Sequence, residues 1–238
     1  MNADDRHLWL KTPKFQVLAT WMWNMVAVLL ISIILTSVLP ENMVLDAETL
    51  RADPRLVLIP VFTKILAVGL LPVLFTLLNR DGLAVYGLQR QGLWKSLAYA
   101  ALVVLVFFAV LSILAGKVTT SIYLPAVKIS TLWKPAVALL ALLAYGPLEV
   151  FFVVWLIHNT DRLYNSSGKI FSSGLFVTVV LYGVLHWFSQ GVYALILAAV
   201  FLLLGLIYKS TRNAIGPMLA WMLMNDFIWA LLAILLAQ

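Results

Sequence analysis

Three polar residues stand in long apolar stretches of the C-terminal half of this 238-residue chain. They are Glu149, His186 and Asn225, in that order, on three separate stretches. A carboxylate can act as a general base, an imidazole can share or orient a proton, and an amide can donate to an oxyanion. Together they predict hydrolysis of a peptide bond by an activated water inside a membrane.

Each of the three residues also has a structural alternative. Glu149 could be a protonated carboxyl bonded to a neighbouring carbonyl, because burial disfavours the charged form. His186, next to aromatic residues, could be a satisfied core histidine. Asn225 could make an interhelical hydrogen bond worth about 1 kcal/mol or less.

Two further charged residues, Lys64 and Asp226, lie within apolar stretches, and the other eight acidic residues are expected in the tail or the loops. A charge at the bilayer centre costs about 2.5–3.5 kcal/mol. Lys64 could reach towards the interface or pair with one of the carboxylates, and we expect no catalytic role for it. No cofactor is expected, because zinc usually needs three protein ligands and these stretches supply one histidine and two carboxylates.

The composition is that of an integral membrane protein. Hydrophobic residues make up 63% of the chain and charged residues 11%, whereas soluble domains have about 45–50% and about 25%. The mean hydropathy is +1.02. These values predict a single all-α integral-membrane domain over residues 1–238, and they exclude nucleic-acid binding. With no cysteine in the sequence, a disulfide framework and a thiol nucleophile are excluded as well.

Seven stretches are long enough to cross a bilayer, for which a helix needs about 20 apolar residues. We therefore predict a polytopic helix bundle with about seven transmembrane helices, and eight is the alternative. Residues 190–191 alone separate the fifth stretch from the sixth, which predicts a tight turn. The seven predicted spans are residues 17–39, 56–78, 96–115, 135–157, 172–189, 192–208 and 217–237.

The basic residues predict the orientation. With the N-terminus inside, the inside segments carry ten Lys and Arg residues and the outside segments five. This bias favours a cytoplasmic N-terminus in a multi-pass protein of the cell's inner (plasma) membrane. Residues 81–95 mix apolar and basic side chains, which is typical of a segment lying in the interface.

Depth along the helices gives one geometric expectation. At 1.5 Å per residue, Glu149 and Asn225 each lie about 12–13 Å from the inner end of their spans. His186 lies about 21 Å from Ser172, so the fifth helix must begin before the bilayer, or tilt, for the three residues to meet.

Residues 136–229 resemble the CPBP family, which groups type II CAAX prenyl proteases with bacteriocin-processing and immunity-type membrane proteins. The family's motifs are two glutamates followed after three residues by arginine, then F-x-x-x-H, then H-x-x-x-N or H-x-x-x-D. Glu149, Tyr182-x-x-x-His186 and Trp221-x-x-x-Asn225 follow the same order.

The chain also departs from these motifs. If Glu149 is the first glutamate, Val150 and Val154 replace the second glutamate and the arginine. If it is the second, Leu148 and Val153 stand at those positions. Trp221 replaces the histidine of the third motif in either case.

The resemblance implies an intramembrane endopeptidase acting on a membrane-associated peptide, prenylated or leader-bearing. Glu149 would then activate water, His186 would position or share the proton, and Asn225 would donate to the oxyanion. The missing motif residues keep a second reading open, a catalytically inactive scaffold, immunity or regulatory protein that uses the same cavity for binding. A small proton-coupled transporter using Glu149, Asp226 and Lys64 is a third, although no internal repeat supports it.

Overall fold

The computed structural model describes residues 9–38, 47–118 and 132–236, and every regular element in these ranges is helical. The all-α class is therefore confirmed for the described residues. The α-helices are α1 (Pro13–Val38), α2 (Ala47–Ala52), α3 (Leu58–Lys64), α4 (Leu70–Asn79), α5 (Leu93–Ala115), α6 (Trp133–Leu143), α7 (Glu149–Leu163), α8 (Ser173–Gln190), α9 (Tyr193–Thr211), α10 (Ile215–Met224) and α11 (Asp226–Leu236). Short 3-10 helices cover Pro54–Val57 and Leu83–Tyr86.

Five helical stretches in the described ranges are long and apolar enough to cross a membrane, which makes this a multi-pass membrane protein. They are Pro13–Ile34, Pro54–Asn79, Leu93–Ala115, Trp133–Leu163 and Tyr193–Thr211. A sixth candidate is the pair α10 and α11, which bends by 66° at its break. Helix α8 has a shorter apolar part, Ser173–Phe188, so the count of seven or eight spans stays a prediction.

Two of the crossing stretches contain a π-helical segment, Ile65–Gly69 between α3 and α4 and Ala144–Leu148 between α6 and α7. Pro147 lies inside the second segment and lacks the N–H that a regular helix would use. The backbone is thus rearranged directly before Glu149, as the Gly146-Pro147 step predicts. Segments of this kind are common at functional sites.

Helix α7 is the centre of the bundle, and each of its first nine side chains, residues 149–157, is buried. It contacts α1, α4, α8, α9 and α10. Close crossings elsewhere depend on glycine. A Cβ on Gly216 would lie 2.4 Å from the Ser96 carbonyl oxygen of α5, and a Cβ on Gly205 would lie 2.4 Å from Leu175 of α8.

The turn between α8 and α9 is as short as the sequence predicts. Helix α8 ends at Gln190, and α9 begins at Tyr193. Gly191 between them has φ of +56° and ψ of −132°, which glycine adopts readily. The two helices therefore form an antiparallel hairpin.

The segment between α4 and α5 is tied to the α9–α10 loop. The Ala214 N–H donates to the Gly87 carbonyl at 2.9 Å, and the Asn213 amide donates to the Gln89 carbonyl at 2.6 Å. The Tyr86 hydroxyl donates to Asp81 at 2.6 Å, and burial together with this bond raises the pKa of Tyr86 to about 12. Leu83 and Val85 of the same segment are exposed, as is Trp94 in the first turn of α5. The interfacial position of residues 81–95 stays a prediction.

Candidate functional site

Glu149 is the first residue of α7 and directly follows the π segment. Its side chain is only 2% exposed, although a charged group inside a membrane bundle needs polar partners. Its N–H donates to the Gly146 carbonyl. The π segment thereby fixes the backbone that carries the carboxylate.

Three side chains from three other helices donate to the Glu149 carboxylate. The Lys64 ammonium at the end of α3 and the Tyr182 hydroxyl of α8 both donate to Oε1. The Trp221 indole N–H of α10 donates to Oε2 at 3.0 Å. The structural alternative of a glutamate bonded to a backbone carbonyl is therefore not what the structure has, because its partners are side-chain donors.

Lys64 forms an ion pair with Glu149, one of the two arrangements that the sequence analysis allows for it. Its Nζ also lies 5.4 Å from the centroid of the Tyr145 ring, within the range of a cation–π interaction. The Lys64 side chain is 18% exposed, compared with 2% for Glu149. Lys64 is thus the more accessible member of the pair.

His186 lies one turn beyond Tyr182 on α8. Its Nδ1 donates to the Tyr182 carbonyl at 2.8 Å, and the two rings are 4.2 Å apart between centroids. Tyr182 therefore lies between Glu149 and His186. The two residues predicted to act together are connected through this tyrosine.

A cavity of about 530 Å³ lies next to this cluster. Its polar part is formed by Asn24, Thr63, Lys64, Tyr145, Tyr182 and His186. Apolar residues of α1 and α8 form most of the remaining wall, and several are exposed on the surface that faces lipid in a membrane bundle, among them Met25, Val28, Leu29 and Phe188. Glu149 and Asn225 are not among the residues that line it.

Asn225 lies at the break between α10 and α11, where both ends of its amide are bonded to the backbone. Its Nδ2 donates to the Tyr145 carbonyl at 3.2 Å. Its Oδ1 accepts from the N–H groups of Phe227 at 3.1 Å and Ile228 at 3.3 Å. These bonds cap α11 and satisfy a carbonyl of the π segment, so in this conformation the amide is engaged away from the cavity.

Three further charged residues, Asp226, Asp161 and Lys209, do not contact the Glu149 carboxylate. Asp226 is exposed in the first turn of α11, where a carboxylate interacts favourably with the helix dipole. Asp161, by contrast, is not in a loop as expected, because α7 continues to Leu163 and buries it. It forms a buried ion pair with Lys209 of α9 and also accepts the Gly174 N–H at 2.8 Å.

Within the described ranges, no group of three or more His, Cys, Asp and Glu side chains could hold a metal ion. The polar centre consists instead of one carboxylate, one ammonium group and aromatic donors.

Tyr182 and Trp221 are the members of the polar centre that sequence reasoning missed as partners of Glu149. A signal for Tyr182 exists in the helix arithmetic, because it lies about 15 Å from Ser172, close to the depth of Glu149. Both aromatic residues also carry a polar hydrogen that needs a partner when buried.

Comparison with known proteins identifies a family match. The family model described as Rce1-like, type II CAAX prenyl endopeptidase, matches residues 130–227. Neither a curated protein nor a solved structure matches the chain significantly. The matched region contains Glu149, Tyr182, His186, Trp221 and Asn225, so the resemblance to the CPBP family is confirmed over residues 130–227, which are similar to type II CAAX prenyl endopeptidases.

Proposed function

We propose that this chain is a CAAX-protease-type membrane protein that binds a membrane-associated peptide or protein without hydrolysing it. The observation that carries the proposal is the hydrogen bonding of the Glu149 carboxylate, whose two oxygens both have donors. A general base must direct a lone pair at water or substrate. Both oxygens of Glu149 are instead directed at Lys64, Tyr182 and Trp221, and the carboxylate lies behind them, out of the cavity.

The cavity supports the binding role. Its volume of about 530 Å³ lies within the roughly 300–1,000 Å³ of ligand sites, which are mostly apolar with a few polar groups. Its position against exposed residues of α1 and α8 gives a membrane-embedded ligand access from the side. The missing glutamate, arginine and histidine of the motifs agree with a site that no longer carries out chemistry.

A second candidate, intramembrane endopeptidase activity, is favoured by the family match over residues 130–227. Here Glu149 would take a proton from water, His186 would position or share it, and Asn225 would donate to the oxyanion on the peptide carbonyl. The proton would then pass to the leaving amine. This route requires Lys64 to leave Glu149 and Asn225 to leave the N-terminus of α11.

A cleavage and binding experiment separates the two candidates. The purified protein in lipid nanodiscs is given a prenylated reporter peptide, and bound and cleaved peptide are measured by mass spectrometry. We expect the wild type to bind the peptide. Its cleavage should stay at background and should not differ from that of Glu149→Ala and His186→Ala.

The exposed Glu48 supplies a matched control, Glu48→Ala, which removes a carboxylate that is not among the residues lining the cavity. If wild type and Glu48→Ala cleave the reporter and both site variants lose about 10²–10⁴-fold in rate, the endopeptidase candidate is correct. Loss of binding in the wild type would contradict the proposal itself.

A further inference from the structure

The polar end of the cavity is electrically balanced. The titratable groups that line it are Lys64 from α3, Tyr145 from the π segment, and Tyr182 and His186 from α8. Glu149 from α7 lies behind them and accepts from Lys64 and Tyr182. Asn24 from α1 and Trp221 from α10 are uncharged polar neighbours. Lys64 and Glu149 carry opposite charges, so their pair has no net charge.

Lys64 is the group that can exchange its partner. It lines the cavity and is 18% exposed. Glu149 keeps the Tyr182 and Trp221 donors if Lys64 turns away. The lysine thus has an alternative position within the cavity, and the carboxyl group remains hydrogen-bonded without it.

An anionic ligand would upset the charge balance, because an unpaired charge in a low-dielectric site is costly. If Lys64 moves to the ligand, Glu149 becomes the unpaired charge. One proton from the aqueous buffer restores neutrality by converting Glu149 to its carboxylic acid. The bond to hydrogen in the buffer acid breaks as the O–H bond on Glu149 forms, and the conjugate base stays in solution, so ligand anion and proton are taken up together.

We propose that the cavity binds a carboxylic acid carried on an apolar chain, with Lys64 as its anchor and with uptake of one proton by Glu149. The inference rests on the proposed binding function and specifies the ligand's head group. The apolar wall formed by α1 and α8 accommodates the chain, and the Lys64 ammonium is the cation that matches the head group. A fatty acid and the free C-terminus of an apolar peptide share this chemistry.

The test measures binding of four probes to the protein in phosphatidylcholine nanodiscs. These are dodecanoate, its methyl ester, and an apolar peptide with a free or an amidated C-terminus. Between about pH 7 and pH 9 a carboxylic acid is ionised and lysine is protonated. There we expect the acid probes to bind at least tenfold more tightly than their neutral partners, with an affinity that falls about tenfold per pH unit.

Substitutions at the pair distinguish this mechanism from simple uptake of a neutral acid. Glu149→Gln removes the competing carboxylate, so acid probes should bind more tightly and without pH dependence. If the ligand entered as a neutral acid beside an intact pair, Glu149→Gln would keep the pH slope, which would overturn the proposal. His186→Gln should keep the slope, because the proton goes to Glu149.

The double variant Lys64→Met with Glu149→Gln guards against misfolding, because it replaces the ion pair by a neutral pair of similar size. We expect it to lose the preference for acid probes, which should bind no more tightly than their neutral partners, while the exposed-site controls Lys169→Met and Glu48→Gln behave as the wild type. Equal affinity of acid and neutral probes in the wild type would overturn the carboxylate proposal and leave the binding function standing. Absence of all binding would overturn both. Of the two acid probes, the one that binds more tightly identifies the source of the carboxylate.

Discussion

Lysine, tyrosine and tryptophan side chains from three helices donate to the Glu149 carboxylate, and these donors determine both its structural and its proposed functional role. Removing one partner of a buried ion pair costs about 3–5 kcal/mol, because the remaining charge has no compensation. Loss of either partner alone is therefore expected to destabilise the fold as well as any site. In the motif correspondence predicted from the sequence, Tyr182 and Trp221 stand at the Phe and His positions, and both supply polar hydrogens to the carboxylate.

At the scale of single residues, the sequence predicted part of the polar centre around Glu149. Glu149 and Lys64 are conspicuous as charges in apolar stretches, and their pairing was one of the two possibilities considered. Tyr182 and Trp221 were missed because aromatic side chains are counted among the hydrophobic residues, although each has one polar hydrogen. The position of Asn225 depends on the break after α10. The sequence has no proline or glycine at this point from which the break could be predicted.

Asn225 gives a residue-scale prediction. We expect Asn225→Ala to lower the free energy of unfolding by at least about 1 kcal/mol, because it removes the cap of α11 and leaves the Tyr145 carbonyl without its donor. Asn225→Asp keeps the acceptor for the α11 N–H groups and should recover part of this loss. Thermal unfolding in detergent measures both. If the wild type cleaves the reporter, an Asn225→Ala variant that is equally stable but does not cleave it would instead favour the oxyanion role.

At the scale of elements, the Lys64–Glu149 pair depends on two π-helical segments. Lys64 directly precedes Ile65–Gly69, and Glu149 directly follows Ala144–Leu148. A Cβ on Gly69 would lie 2.6 Å from Leu148 Cδ2, so the segments approach closely. The second segment contains Gly146-Pro147, a step that favours a bent backbone. The sequence could not indicate the first, because Ile65–Gly69 has no proline and its register is set by packing against other helices.

Helix crossings give a prediction at this scale. We expect Gly216→Ala to destabilise the protein by about 1–3 kcal/mol, because the new methyl group would lie 2.4 Å from the Ser96 carbonyl oxygen. The matched control is Gly168→Ala, whose Cβ would meet no atom within 4 Å. Thermal unfolding should place this control within about 0.5 kcal/mol of the wild type. Equal stability of the two variants would show that α5 and α10 can separate at little cost.

At the scale of the whole molecule, composition and charge predict more than single motifs do. Low charge and long apolar runs predicted an all-helical membrane protein, and the described residues have that fold. The number of spans is harder to predict, because hydropathy cannot distinguish a full crossing from a short or broken helix. Helix α8 has 18 residues, or about 27 Å, close to the roughly 30 Å of the hydrocarbon core.

The absence of cysteine allows a direct test of topology. Single-cysteine variants Lys117→Cys, Gly168→Cys and Gln190→Cys are labelled in intact cells with a maleimide that does not cross membranes. With a cytoplasmic N-terminus and seven spans, we expect labelling at positions 117 and 190 and protection at 168. Protection of both 168 and 190 would mean that α8 does not cross, and the cysteine-free wild type controls for background.

The bond between Trp221 and Glu149 has an optical consequence. The indole N–H donates to Oε2 at 3.0 Å, and the excited state of an indole responds to the charge on such a neighbour. Gain or loss of the negative charge on Glu149 would therefore change the emission of Trp221. The chain thus contains a fluorescent reporter of the ionisation of its own buried carboxylate, and the difference between wild type and Trp221→Phe isolates that signal from the other eight tryptophans.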